Sequence, residues 1–389
     1  MDEQTRSREL LGRIAEQIKH SPDQRITFAH FMQVVLYDLA YGYYTSPGSK
    51  IGFGGADFYT SPNLSPTFGQ LLAKQLAECW ELLGLPTEFW LIEQGAGTGT
   101  MALAILDELK RSYSATYATT TYEIREISDD LKAQQEALLA DHPVQFSDRL
   151  PSCEQLPVTG VYLTNELPDA FPVHRVVGGE GGTLLEEYVT LEDFSDLRSP
   201  ELKLIAGPLS TPRLHHYFER LGITIPPGNR AEVNLAALDW IAEVARVLDS
   251  GYVITIDYGY PASKLYAPAR TNGTLLGYYQ HTVSDNPFAH LGSQDLTSHV
   301  DFTSLQLAGE AHGLQTLGLT NQAAFLLSLG LGDRVQALQT AGLSNEEYLR
   351  QRAALLKLIE PGGLGSFGVL IQGKGIAANQ PLSGLKFRI

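Results

Sequence analysis

The sequence predicts an α/β protein built on a mostly parallel sheet with helices on both faces, with an N-terminal helical region and inserted segments. Three observations predict this. From residue 86 onward, short apolar runs rich in β-formers alternate with helical patterns. A glycine-rich turn, Gly95-Ala96-Gly97-Thr98-Gly99, lies between one such run and the next helix. The alternation lapses between residues 175 and 232 and then resumes, which marks an insertion.

The chain of 389 residues is long enough for one sizeable core plus an added region. Its 43% hydrophobic and 19% charged residues are those of an ordinary folded protein. The longest apolar runs are too short to cross a bilayer, so no membrane insertion is expected. The start Met1-Asp2-Glu3-Gln4 lacks a signal peptide's apolar stretch. Cys79 and Cys153 have no CxxC spacing, so a reducing, cytoplasmic setting is expected. A net charge of −16 opposes nucleic-acid binding and suits a basic peptide or protein partner.

The elements follow in order. Residues 1–20 read as a helix with Leu10, Leu11, Ile14 and Ile18 on one face. Residues 41–67, rich in Gly, Tyr, Ser and Pro, read as loop. Phe68, Leu72, Leu76, Cys79 and Leu83 recur at helical spacing, and Gly84 and Pro86 end that helix. Phe89–Glu93 reads as a strand, Thr100–Leu109 as a helix and Thr119–Ile127 as a strand. Ser128 stands at an N-cap position before a helix carrying Leu131, Leu138 and Leu139. Val144–Ser147 and Val158–Thr164 are further strands. Val176–Gly178 and Leu184–Thr190 flank a glycine-rich turn, a hairpin inserted in the core. Leu235–Leu248 is helical, Gly251 stops it, and Tyr252–Asp257 is a strand. Residues 259–300 read as loop, followed by a helix Phe302–His312, a strand Leu314–Leu319 and a last strand Phe367–Gln372.

Strand, glycine turn and helix together let backbone N–H groups approach a ligand at a helix N-terminus. A dinucleotide fingerprint needs a third glycine where Thr100 stands, and a Walker loop needs a GK[ST] tripeptide that is absent. GxGxG after an acidic residue suits an S-adenosylmethionine-dependent methyltransferase: Gly95, Gly97 and Gly99 pass close to the cofactor's methionine part, and Glu93 faces its ammonium group. A ribose wants an acid at the end of the second strand. Glu126 stands there, with Glu123 as the competing choice. Asp148, after the third strand, is positioned for the adenine amino group.

Ligands of open α/β sheets bind beyond the carboxyl ends of the strands. Strand Val158–Thr164 runs into Asn165-Glu166-Leu167-Pro168-Asp169-Ala170-Phe171-Pro172-Val173-His174, so Asn165, Glu166, Asp169 and His174 are the candidate catalytic residues. Asp257-Tyr258-Gly259 ends a later strand at the same edge. No metal site is expected: the ten histidines include no HExxH, and His215 and His216 are adjacent, so they do not share a helix face.

These segments resemble the MidA family of methyltransferases, which includes a mitochondrial complex I assembly factor that methylates an arginine. The resemblance runs through Tyr41-Gly42-Tyr43-Tyr44, Asp57-Phe58-Tyr59-Thr60-Ser61-Pro62, Phe68-Gly69-Gln70-Leu71-Leu72, the glycine loop through Thr100, Glu126-Ile127-Ser128, Asn165-Glu166, Asp169 to His174, Asp257-Tyr258-Gly259 and Asp301-Phe302-Thr303. Many relatives carry Pro and Arg where Ala96 and Thr98 stand here. The resemblance implies a Rossmann-like, seven-stranded class I methyltransferase core with extra elements. It implies S-adenosyl-L-methionine as cofactor and a protein substrate, with a respiratory or NDH-type complex subunit as the expected acceptor. Residues 1–85 are then an N-terminal region capping the core, 86–177 and 233–389 the core, and 178–232 a substrate-side insertion. A methyltransferase for a small molecule or another side chain remains an alternative. So does a non-catalytic assembly factor, against which the intact Asn165-Glu166 segment speaks. Monomer and homodimer are both open.

Overall fold

A computed structural model describes residues 3–46, 60–147, 157–195, 200–377 and 381–387. The chain forms two compact units. One comprises Met1–Lys50, Pro168–Trp240 and Gly259–Leu305, the other Ile51–Leu167, Ile241–Tyr258 and Gln306–Ile389.

The second unit holds a seven-stranded sheet of β1 (Phe89–Gln94), β2 (Thr120–Arg125), β3 (Val144–Ser147), β4 (Val158–Asn165), β5 (Leu248–Asp257), β6 (Gln315–Asn321) and β7 (Gly368–Lys374). Their spatial order is β6-β7-β5-β4-β1-β2-β3. The pairs from β5 through β3 are parallel, and β7 runs antiparallel to both neighbours. Parallel neighbours need a crossover, which helices Thr100–Ser112 and Asp129–Leu138 supply on either side of β2. The chain moves outward from β1 to β3 and then returns to the other side of β1 with β4. Ligands of such sheets gather at this reversal.

Period-two alternation puts Leu91 of β1, Tyr122 and Ile124 of β2, and Val161 and Leu163 of β4 into one core with Leu72, Leu76, Ile105 and Leu109 of two helices. Each such side chain contributes roughly 1.5–3 kcal/mol by leaving water. The two helices, Thr67–Leu82 and Thr100–Ser112, touch at Gly69, where a Cβ would lie 2.7 Å from Ala104 Cβ and 3.0 Å from the Met101 carbonyl oxygen.

In the first unit, strands Leu184–Leu191 and His174–Gly178 form the expected hairpin. Ile26–Thr27, Leu202–Gly207 and Arg230–Val233 extend it to five antiparallel strands. Leu10, Ile14 and Ile18 of helix Glu3–His20 pack with Phe28, Phe31 and Val35 of the next helix and with Val189 and Leu191.

Three expectations need correction. Gly251 does not stop the helix: Leu235–Val247 passes directly into β5, and Gly251 lies within the strand opposite Gly160. A Cβ at Gly251 would sit 1.9 Å from the Gly160 carbonyl oxygen, so close backbone approach is what requires this glycine. Residues 259–300 are not plain loop. They contain antiparallel strands Leu276–Tyr279, Thr282–Ser284 and Asp295–Thr297, and Gly259–Tyr260 pairs with Val300–Asp301. Strands of two to four residues are too short to display a period. Ser61–Leu64, within the stretch read as loop, is a single helical turn with Pro62 in its first positions.

Candidate active site

The glycine loop joins the end of β1 to helix Thr100–Ser112. Gly95, Gly97 and Gly99 have φ of 72°, 55° and 79°, a left-handed conformation that branched residues resist. The Gly95 N–H donates to the Arg125 carbonyl, tying the loop to the end of β2 (3.1 Å). Asn63, from the short helical turn, accepts at Oδ1 from the hydroxyls of Thr98 (3.3 Å) and Thr100 (3.0 Å).

Glu93 continues the inward face of β1 and is 1% exposed. The Tyr122 hydroxyl donates to its Oε2 at 2.5 Å, whereas Oε1 is buried with no hydrogen bond among the described residues. Burial pushes its carboxyl up to about 7, opposed by the Tyr122 bond and assisted by the charge of Glu126. A buried acceptor without a donor is costly, and a ligand ammonium would satisfy it.

Glu126 follows β2 directly. Its Oε1 accepts from the backbone N–H groups of Ile127 and Ser128, both at 2.9 Å, and Oε2 from Gln135 Nε2 at 3.2 Å. Burial raises its pKa, while these three hydrogen bonds pull the other way. A carboxylate has about four acceptor positions, so Oε2 retains one for a ligand hydroxyl. Glu123 is engaged differently: its Oε1 accepts from Arg125 Nε (3.0 Å) and Ser147 Oγ (2.7 Å) within the sheet. The two acids thus differ in their partners, Glu126 meeting backbone N–H groups and Gln135, Glu123 meeting Arg125 and Ser147. Asp148 lies outside the described residues.

At the end of β4, Asn165 Nδ2 donates to Glu166 Oε1 at 3.0 Å, and Asn165 Oδ1 is buried without a hydrogen bond among the described residues. The Glu166 N–H donates to the Ile256 carbonyl of β5. Glu166 has φ +54°, a left-handed conformation rarely taken by a non-glycine residue and costing on the order of 1–3 kcal/mol. Such strain persists where surrounding bonds over-determine it, here the β4–β5 pairing. Leu167 then packs on the glycine loop: a Cβ at Gly95 would lie 3.0 Å from Leu167 Cδ1. Asp257, fully buried at the end of β5, accepts from the Tyr258 N–H at 2.7 Å.

Asp169 and His174 belong to the first unit. Asp169 is buried in the turn Pro168–Ala170, and its carbonyl accepts from the Ser298 N–H. His174 Nδ1 lies 2.7 Å from Oε1 of the fully buried Glu186. Burial works to raise the Glu186 pKa, but hydrogen bonds from His174 and Ser210 hold it below its usual range. His215 and His216 are exposed on helix Arg213–Leu221. Sequence reasoning missed Asn63, Tyr122 and Gln135. None belongs to a motif, and each reaches the site only through tertiary contacts.

Residues 71–320 match a family described as S-adenosyl-L-methionine-dependent methyltransferases. A Rattus norvegicus protein named protein arginine methyltransferase NDUFAF7, mitochondrial, is 28% identical over 328 residues, covering 78% of this chain and 70% of that one. The Homo sapiens protein of the same name is 27% identical over 328 residues, with the same shares covered. A crystal structure of a Burkholderia thailandensis protein bound to S-adenosyl-homocysteine has 29% identity and a TM-score of 0.86, covering 99% of this chain and 96% of that one. The fold is thus that of an α/β methyltransferase.

Proposed function

Because the chain belongs to this family of S-adenosyl-L-methionine-dependent methyltransferases, we propose that it methylates an arginine side chain of a protein. The observation that carries this reading is the Asn165–Glu166 pair, held in a strained conformation beside the glycine loop by the end of β5. The names of the relatives support arginine as the acceptor. The net charge of −16 suits a basic substrate. A subunit of an NDH-type respiratory complex is the first acceptor to test, with residues 178–232 as the proposed substrate-binding segment.

The residues present fit the cofactor. The loop glycines admit its amino-acid part, the orphaned Glu93 Oε1 takes its ammonium group, and the remaining acceptor position on Glu126 takes a ribose hydroxyl. Bound S-adenosylmethionine supplies a methyl group on a positively charged sulfur. The acceptor is a poor nucleophile, since the arginine lone pair is delocalised over a guanidinium that stays protonated. Glu166 pairs with the guanidinium and fixes its plane, and Asn165 fixes Glu166. The carboxylate would also offset positive charge that reaches the acceptor nitrogen, which would take the methyl as its bond to sulfur breaks and release one proton to solvent.

Glu166→Gln keeps the shape and removes the charge. It is expected to cut single-turnover methylation at least about tenfold, roughly 1.4 kcal/mol, with S-adenosyl-homocysteine affinity near wild type. Full activity removes Glu166 from the mechanism, and lost cofactor binding moves it to the cofactor side. Labelled cofactor and cell extract, followed by identification of the labelled residue, test the acceptor. Label on a lysine or on a small molecule overturns the arginine assignment.

A further inference from the structure

Gln135 sits in helix Asp129–Leu138 and is fully buried. Both hydrogens of its amide are used on groups of the candidate cofactor pocket. Nε2 donates to the Gly97 carbonyl at 2.7 Å and to Glu126 Oε2 at 3.2 Å. Flipping the amide would turn its oxygen toward two acceptors, so this orientation is the one chemistry allows. Its own Oε1 is buried with no hydrogen bond among the described residues, so the two donated bonds are what hold the amide. The aliphatic stem also lies against the loop: a Cβ at Gly99 would meet Gln135 Cγ at 3.2 Å and Cβ at 3.6 Å.

One side chain therefore touches the glycine loop at two places and the ribose acid at a third. The Gly97 contact has a directional consequence. Across a planar trans peptide the C=O and the following N–H point in opposite directions. Holding the Gly97 carbonyl toward Gln135 aims the Thr98 N–H away from it. The Glu126 contact selects one carboxylate orientation, with Oε1 on the backbone N–H groups of Ile127 and Ser128. We propose that Gln135 is a positioning residue of the cofactor pocket, a strut that sets the glycine loop and the ribose acid in one mutual arrangement and thereby sets cofactor affinity. This rests on the reading that Gly97 and Glu126 hold the cofactor.

The test uses calorimetry with S-adenosyl-homocysteine on the full chain. Gln135→Met keeps the stem on Gly99 and removes both donors. It is expected to weaken binding about tenfold and to raise KM for the cofactor, with kcat at saturation within about twofold of wild type. Gln135→Glu supplies a second readout. At pH 8 its carboxylate opposes Glu126 and the Gly97 carbonyl, and affinity drops further. Toward pH 6 the protonated acid regains one donor. Glu126 is the acid in contact and Glu93 the next charge coupled to it. Wild type shares whatever pH dependence these two produce. The wild-type-to-variant affinity ratio is therefore the quantity read, and it is expected to narrow as pH falls. The thermal midpoint without ligand reports folding.

Wild-type affinity in Gln135→Met, or a ratio for Gln135→Glu that does not change with pH, overturns the proposal. So does a loss of kcat with cofactor KM unchanged. Glu126→Ala and Gly97→Val run alongside. If they weaken binding and Gln135→Met does not, the strut alone fails. If neither weakens it, the underlying placement of the cofactor fails.

Discussion

Glu93 gives the candidate site a pH signature that stability and binding can both read. Its carboxyl is lifted from an ordinary 4.5 to about 7, chiefly by burial. The folded value lies above the unfolded one, so the folded chain holds more protons between them. Stability then falls as pH rises from about 4.5 to about 7 and is level above that. At 1.36 kcal/mol per pH unit the effect is roughly 3 kcal/mol. Glu93→Gln is expected to flatten this part of the stability curve, measured by urea unfolding at several pH values. A ligand ammonium favours the ionised form, so S-adenosyl-homocysteine affinity should rise with pH to a plateau above about 7. An unchanged affinity profile in Glu93→Gln would show that the ammonium sits elsewhere. Glu126→Ala should weaken binding by roughly 1–3 kcal/mol, the scale of a hydrogen bond to a charged group. Glu123→Ala should instead cost stability, because it leaves the buried Arg125 without its carboxylate partner. A larger binding loss from Glu123→Ala would reverse that assignment. Gly97→Val should abolish binding, since φ of 55° disfavours a branched side chain and the proposed approach of the cofactor leaves no room for one.

At the scale of elements, helix Thr67–Leu82 shows packing overriding propensity. Alanine at Gly69 would favour an isolated helix by about 1 kcal/mol. Here its Cβ would meet Ala104 Cβ at 2.7 Å, and overpacking costs typically 1–3 kcal/mol. Gly69→Ala is therefore expected to lower stability overall, and adding Ala104→Gly should return part of the loss. A urea series on the single and double variants checks this, and a more stable Gly69→Ala would refute it. The helix itself was legible because Phe68, Leu72, Leu76 and Cys79 recur at its period, and all four are buried. Ser128 was legible as a cap because a hydroxyl before a helix accepts an exposed N–H, here that of Leu131. The strands between 259 and 300 were not legible. A strand as short as Thr282–Ser284 exists because Leu276–Tyr279 pairs with it, and nothing in its own residues demands it.

For the whole molecule, the net charge of −16 predicts a contrast between two kinds of ligand. Association with a basic protein substrate should slow as salt rises, because long-range attraction is screened beyond a Debye length of about 8–10 Å near physiological salt. Binding of S-adenosyl-homocysteine, held by short-range contacts, should change far less. Parallel titrations at 50 and 500 mM salt compare them, and a substrate on-rate indifferent to salt would rule out electrostatic steering.

The sequence by itself determined the order of strands and helices around the glycine loop, and with it the sheet edge proposed to receive a ligand. Local pattern suffices there, since side-chain period, caps and glycines act within a few residues. Asn165 and Glu166 were also readable, as polar groups at the end of an apolar strand. Tertiary structure alone distinguished Glu126 from Glu123, because both are strand-end acids and what differs is the partner each meets: Gln135 and two backbone N–H groups, or Arg125 and Ser147. It alone showed that Gly251 serves the β4–β5 contact rather than a helix end. It alone brought Asn63 and Gln135, 35 and 38 residues from the loop positions they hold, onto Thr98 and Gly97. A hydrogen bond between residues far apart in the chain leaves no period and no motif, so folding has to bring the partners together before the bond can be read.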